Sequence, residues 1–201
     1  MPTPDLLAVI AACAAYLIGS VSFGLLIAKK HGVDLRHAGS GNTGATNVGR
    51  TVGKREGRRV LLLDGLKGML PTLAASALFG FTSSTAAFVA TMTVAGHCWP
   101  IWHGFRGGKG AATAAGAMLV LSPWAGLLAI LAYLVGKKLS RKVSVGSLAG
   151  AFVGAASALL ITFVHGGLGA QAMGASTIGA LVWLRHASNI ARLFKGTEPD
   201  A

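Results

Sequence analysis

Residues 111–138 read AATAAGAMLVLSPWAGLLAILAYLVGKK, and whether this run forms one helix or two decides the architecture of the chain. Proline lacks a backbone N–H and suits the first turn of a helix, so Pro123 marks either a kink or a fresh start. Charge separates the two readings. The 18 Lys and Arg fall into groups: eight within 29–59, Lys67, the pair Arg106 and Lys109, four within 137–142, and three from Arg185 onward. A single span would carry Lys137, Lys138, Arg141 and Lys142 to the face opposite the rest. Two helices, Ala111–Leu121 and Trp124–Gly136, put every group on one side. Only Asp5, the Thr82–Thr85 turn, Pro123 and His165-Gly166-Gly167 then remain on the other. Because Lys and Arg collect on the cytoplasmic face, the split is favoured. It predicts an all-α polytopic membrane protein with seven transmembrane helices, some short, the N-terminus outside and the C-terminus cytoplasmic. The fourth helix is then only about 11–12 residues, roughly 18 Å at 1.5 Å per residue. It must tilt, sit beside thinned bilayer, or be shielded by protein.

The composition agrees with a membrane protein. The chain has 201 residues, 53% hydrophobic and 12% charged, with mean hydropathy +0.62. Leu6–Ala28 carries no charge and exceeds the roughly 20 residues that cross a bilayer. Asp5 and no basic residue precede it, so it reads as a retained span rather than a signal peptide. Further spans are expected at Val60–Phe81, Ala86–Ile101, Val143–Val164 and Leu168–Leu184, with a polar tail from Arg185. Nothing divides the chain, and residues 1–201 read as one domain. The net charge of +12 flanks apolar spans, where it faces anionic lipid headgroups and sets topology. Basic patches interleaved with aromatics are absent, which argues against nucleic acid. Trp99, Trp102, Trp124 and Trp183 read as interface anchors. Cys13 and Cys98 lie in apolar runs, as packing residues, and two cysteines are too few for a metal cluster.

The split gathers the polar motifs on one side. The loop GFRGGKGAAT at 104–113 packs glycines, Lys109 and the Thr113 hydroxyl ahead of a helix. Glycines let main-chain N–H groups approach an anion, and the helix N-terminus adds positive potential. The same composition also suits a tight connection. Residues 39–50 read GSGNTGATNVGR. Gly39, Gly41 and Gly44 spell G-x-G-x-x-G, but no strand precedes them, so a dinucleotide fingerprint is rejected. What remains is a segment dense in small donors, Ser40, Asn42, Thr43, Thr46 and Asn47, closed by Arg50, whose fork suits a phosphate. Asp64 and Lys67 stand at i and i+3 and form a structural ion pair. His97 is an orienting donor, a general base or an interfacial histidine. Ser144 and Ser147 open a span as caps, and His186 and Asn189 share one face if the helix continues beyond the last span.

Familiar catalytic sets are missing. No His is followed by Asp five residues later, and neither G-x-S-x-G nor H-E-x-x-H occurs. With six carboxylates in the chain, chemistry should rest on cations, amides and hydroxyls, with no metal and no cofactor.

Four segments together, GSGNTGATNVGR at 39–50, DGLKG at 64–68, GHCWPIWHGFRGGKGAAT at 96–113 and RHASNIARLFKGTE at 185–198, with SVGS at 144–147, resemble the membrane-integral acyl-phosphate:glycerol-3-phosphate acyltransferases (the PlsY family). Ala187 departs from the basic residue the family more often has there. The resemblance implies acyl transfer from an acyl-phosphate to the 1-hydroxyl of sn-glycerol 3-phosphate, the first acylation of bacterial phospholipid synthesis. It places the site on the cytoplasmic face of the inner membrane and requires no protein partner. It implies catalytic roles for Ser40, Arg50, Lys109, Ser147, His186 and Asn189. Substrate contacts follow for Asn42, Thr46, Asn47, His97, Gly107, Gly108, Gly110 and Thr113, and structural roles for Asp64, Lys67 and Glu198. Two points stay open at this stage: which phosphate the glycine loop holds, and whether His186 or the donor's own phosphate accepts the hydroxyl proton. A small transporter or binder of phosphate or a phosphorylated metabolite is the rival reading. It is disfavoured because no inverted repeat is present and the motifs lie on one side rather than near the midplane. A lipid phosphatase lacks a nucleophile.

Overall fold

A computed structural model describes residues 4–200. Its regular elements are all helical: α1 (Pro4–Gly19), α2 (Phe23–Lys30), α3 (Ala45–Thr51), α4 (Lys54–Phe79), α5 (Ser84–Cys98), α6 (Ala111–Leu121), α7 (Pro123–Ser140), α8 (Val143–Val164), α9 (Ala170–Arg185) and α10 (Ala187–Phe194), with a 3-10 turn at Ile101–His103. Three segments are long and apolar enough to cross a membrane: Asp5–Lys30 taken together, α4 and α8. Large apolar side chains such as Leu62, Leu78, Phe152, Phe163 and Met173 are exposed on the outside. Lipid, not water, suits such a surface.

The break before Pro123 is present. α6 stops at Leu121, Ser122 leaves helical geometry at φ −150 and ψ 85, and Pro123 opens α7. The short α6 is enclosed by protein, contacting α4, α5, α7, α8 and α9. Its seat depends on glycine. A Cβ at Gly116 would lie 2.0 Å from the Gly65 carbonyl oxygen, and one at Gly68 would lie 2.0 Å from that of Thr113. Bare backbones therefore touch between α4 and α6, the close approach that small residues permit in membranes.

Several boundaries differ from the sequence expectation. The run Leu6–Ala28 is two helices, because the chain breaks at Ser20-Val21-Ser22. Ser20 Oγ donates to the Tyr16 carbonyl (2.8 Å), Ser22 Oγ accepts the Leu25 N–H (3.5 Å), and the Val21 carbonyl freed by the break accepts from Lys67 Nζ (2.8 Å). α4 starts at Lys54 rather than Val60; its charged first turns are helix formers, and Glu56 pairs with Arg59 at 2.8 Å. α7 runs past Gly136 to Ser140 and absorbs Lys137 and Lys138. The polar tail is not simply loop: α9 ends at Arg185, His186 breaks the geometry, and α10 follows.

The α1–α5 contact tests how far this packing sets stability. A Cβ at Gly19 would fall 2.1 Å from the Thr93 carbonyl oxygen. Overpacking of this kind costs about 1–3 kcal/mol. Gly19→Ala should lower the Tm in detergent by a few degrees, while the KM values of the folded fraction stay unchanged; an unshifted Tm would mean that α1 and α5 separate freely.

Candidate functional site

A cavity of about 1050 Å³ opens among α4, α6, α7 and α8. Part of its lining is apolar, with Leu61, Leu66, Met69, Leu119, Ile130 and Leu134. The rest is polar, with Ser40, Arg50, Arg58, Lys109, Ser147, His186, Asn189, Arg192 and Glu198. Segments far apart in sequence thus converge, including every candidate catalytic residue.

The loop before α3 is shaped by Asn47. Its Oδ1 accepts the Ser40 N–H at 2.9 Å, and its Nδ2 donates to the carbonyls of Asn42 at 2.9 Å and Ala38 at 3.0 Å. Asn42 Oδ1 in turn accepts the Gly44 N–H at 2.8 Å, an Asx turn. These amides build the loop, although both residues border the cavity. The exposed Ser40, Thr46 and Arg50 side chains lie along the same wall.

The glycine loop divides in two. Gly108 donates its N–H to the His97 carbonyl at 3.1 Å, and a Cβ on it would meet His97 Nε2 at 2.1 Å. A Cβ on Gly107 would lie 2.2 Å from the His97 carbonyl oxygen. Arg185 donates from Nε to the Gly108 carbonyl (3.1 Å) and from Nη2 to that of Gly107 (3.2 Å), with its guanidinium 5.4 Å from the Trp99 ring centre. Gly107 and Gly108 therefore face protein and do not line the cavity. Thr113 does not line it either; it is fully buried where α6 meets Gly68. The wall is formed instead by Lys109, Gly110, Ala111 and Ala112. Gly110 turns the chain into α6 at φ 79, a conformation that glycine adopts without a Cβ penalty. The positive end of α6 thereby meets the cavity.

Behind this wall Asp64 lies 2.8 Å from Lys67 and 3.6 Å from His97 Nδ1, all three buried. Asp64 and His97 touch the cavity; Lys67 does not, and ties α4 to the break between α1 and α2 instead.

Electrostatics sort the polar lining. Burial pushes the Lys109 ammonium down to about 8; Glu198 opposes the fall, while Arg192, Arg185 and Arg50 deepen it. Burial likewise pushes the His186 imidazole down to about 4, partly countered by its bond to the Val182 carbonyl. That 2.7 Å contact from Nδ1 must use an N–H, because a carbonyl only accepts. Neutral His186 consequently keeps Nε2 as its acceptor. Burial alone would raise the Glu198 carboxyl, but the Ser144 hydroxyl beside it, the Asn189 amide and the Arg192 guanidinium outweigh this and hold it below its ordinary value. Asn189 Nδ2 donates to Glu198 Oε1 at 2.6 Å and Arg192 Nε to Oε2 at 2.7 Å. Lys142 Nζ donates to the Glu198 carbonyl (2.7 Å) and the Asp200 carboxylate (2.8 Å), and Arg50 donates to the Asp200 carbonyl. The tail thus folds across the polar lining.

The family profile described as glycerol-3-phosphate acyltransferase matches residues 9–196. The chain belongs to that family. It is 42% identical over 200 residues, 98% of each chain, to a glycerol-3-phosphate acyltransferase of Anaeromyxobacter dehalogenans strain 2CP-1. It is 45% identical over 184 residues to one of Aquifex aeolicus, covering 92% of this chain and 94% of the relative. In three dimensions it is similar to the crystal structure of PlsY, an integral membrane glycerol 3-phosphate acyltransferase, in its glycerol 3-phosphate form, with a TM-score of 0.90 and 42% identity over 96% and 95% of the two chains. The lysophosphatidic acid form of PlsY gives a TM-score of 0.87. As a family member the chain is an all-helical, multi-pass membrane acyltransferase.

For this glycerol-3-phosphate acyltransferase, sequence reasoning overlooked Arg58, which lines the cavity, and Arg185, which holds the glycine loop. Arg185 carried one signal, a charge ending an apolar run directly before His186. Arg58 carries none, because it lies in the polar stretch ahead of the apolar run that begins at Val60.

A ligand phosphate beside Lys109 meets a half-buried cation that is charged below about pH 8 and neutral above it. Affinity for inorganic phosphate, measured by titration calorimetry, should therefore fall by up to about tenfold per pH unit above pH 8, with proton uptake on binding. Lys109→Arg, which stays charged, should flatten that dependence. A flat wild-type profile would mean that Lys109 does not contact the ligand.

Proposed function

We propose that the chain transfers a fatty acyl group from an acyl-phosphate to the 1-hydroxyl of sn-glycerol 3-phosphate, giving 1-acyl-glycerol 3-phosphate and inorganic phosphate. The observation that carries this reading is the mixed lining of one continuous cavity, in which an apolar trough of α4, α6 and α7 side chains adjoins Lys109, Arg50, Arg58 and Arg192. An acyl-phosphate is a molecule of that form. Its chain suits the trough and its phosphate suits the wall made by Lys109, Gly110 and the start of α6. Glycerol 3-phosphate then lies against Arg50, Ser40, Ser147, His186 and Asn189, which orient its hydroxyl towards the acyl carbon. Two anionic substrates repel one another, and the surrounding cations offset this.

In the step itself a C–O bond forms between the glycerol 1-oxygen and the acyl carbon as the acyl C–O bond to phosphate breaks. The departing phosphate takes the hydroxyl proton. His186, held near 4, is a poor proton store at neutral pH, but its Nε2 is a suitable acceptor to aim the hydroxyl. Lys109 offsets the charge that develops on the leaving phosphate. Asp64 and Lys67 support the wall from behind, and Glu198 fixes Asn189 and Arg192.

This reading treats residues 1–201 as one domain needing neither cofactor nor protein partner. It counts seven spans, with α1 and α2 crossing as one. The N-terminus lies outside, and the site faces the cytoplasm at a bacterial inner membrane, the side on which the Lys and Arg groups fall together.

Purified protein given palmitoyl-phosphate should acylate glycerol 3-phosphate and release phosphate only when both substrates are present. Lys109→Ala should lower kcat/KM by about a thousandfold while remaining folded in detergent. His186→Gln, which keeps an acceptor, should lose about tenfold. Phosphate release without acylation of the glycerol would point to hydrolysis, and uptake into vesicles without either product to transport.

A further inference from the structure

Arg185 ends α9 and does not line the cavity, yet both of its side-chain hydrogen bonds run to the glycine loop. Nε and Nη2 belong to one rigid plane, so engaging the Gly108 and Gly107 carbonyls together fixes two successive peptide planes. The Trp99 ring, 5.4 Å away, backs that plane from the end of α5. In a trans peptide the N–H points opposite the C=O, so a fixed Gly108 carbonyl also fixes the direction of the Lys109 N–H.

The loop has no room on its other side. The His97 carbonyl holds the Gly108 N–H, and a Cβ on Gly108 would collide with the His97 ring at 2.1 Å. It is therefore gripped between the end of α5 and the end of α9, with Lys109 next along the chain. Arg185 is also the residue before His186, whose ring is tied back to Val182 at 2.7 Å, and Asn189 follows one turn later, tied to Glu198 at 2.6 Å. The junction of α9 and α10 thus carries the residues that face the acceptor and the hold on the loop that faces the donor.

We propose that Arg185 is a positioning residue: its guanidinium fork sets the glycine loop, and with it Lys109, against His186 and Asn189, so that the loop's fit to the acyl donor depends on Arg185. This rests on the acyl-transfer reading of the cavity. The fork, not the charge, is the working part, since an ammonium at the same place lacks the planar pair of donors.

The test uses full-length protein in detergent carrying Arg185→Lys or Arg185→Gln, with palmitoyl-phosphate and glycerol 3-phosphate varied separately. Hydrogen exchange is followed over residues 104–113. In both variants the KM for palmitoyl-phosphate should rise about tenfold or more, the KM for glycerol 3-phosphate should stay within about twofold, and loop exchange should accelerate while α8 exchange does not. If Arg185→Lys behaves as wild type in KM and exchange, the fork is not what matters and the proposal is overturned. A fall only in Tm or kcat, with both KM values unmoved, would reduce Arg185 to a structural tie and equally overturn it. Should the Arg185 variants fail to fold, Trp99→Leu removes the ring behind the guanidinium and should raise the donor KM and loop exchange in the same direction; no change in either overturns the proposal. Wild-type protein inactive with palmitoyl-phosphate would instead sink the acyl-transfer reading, and the exchange measurement would still report on Arg185.

Discussion

The backbone contact between α4 and α6 is the constraint on which the remainder of this structure depends. An 11-residue helix is too short to cross a bilayer unaided, and its unsatisfied end groups are costly in hydrocarbon. It persists because Gly65, Gly68 and Gly116 let two backbones meet with no side chain between them, and because α5, α7, α8 and α9 cover the other sides. Shortness then becomes useful. The N-terminus of α6 stops inside the protein, at a cavity wall, with Lys109 and Gly110 immediately before it.

Around that point the polar residues fall into two kinds. Asn47, Glu198, Arg185 and the Asp64–Lys67 pair use their hydrogen bonds on the protein itself, giving shape to loops that have no regular structure of their own. Ser40, Arg50, Lys109 and Ser147 reach the cavity from the elements so shaped. His186 and Asn189 do both, each turning one nitrogen to the protein while bordering the cavity. The crowding of Lys109 by Arg50, Arg185 and Arg192 leaves an excess of positive charge that an anionic ligand relieves. The same charges in water would be screened within about 10 Å; burial keeps them effective.

Much of this was legible beforehand for physical reasons. Segregated charge and the lone Pro123 located the break between α6 and α7, because the cost of charge in a bilayer is large enough to govern topology by itself. The chemistry of Ser40, Lys109, Ser147 and His186 was legible through the resemblance of their segments to a family, since residue types alone leave the glycine loop open as a tight connection and Ser147 as a helix cap. Less legible were the helices outside the apolar runs. α3, the first turns of α4 and α10 carry no apolar stretch, and their packing on neighbours stabilises them more than local propensity does. The break at Ser20-Val21-Ser22 was hidden because its freed carbonyl is satisfied by Lys67, a residue 46 positions away.

The sequence by itself determined that the chain is helical, that it lives in a membrane, and that its glycine- and amide-rich motifs stand outside the apolar runs, because hydropathy and charge act locally and add along the chain. Only the tertiary structure decided which face of each motif is available. The family resemblance implies substrate contacts at Gly107, Gly108 and Thr113, yet they are turned into the protein by His97, Arg185 and Gly68. Which way a peptide points depends on partners that the chain brings together from a distance, and spacing along the sequence does not encode that direction.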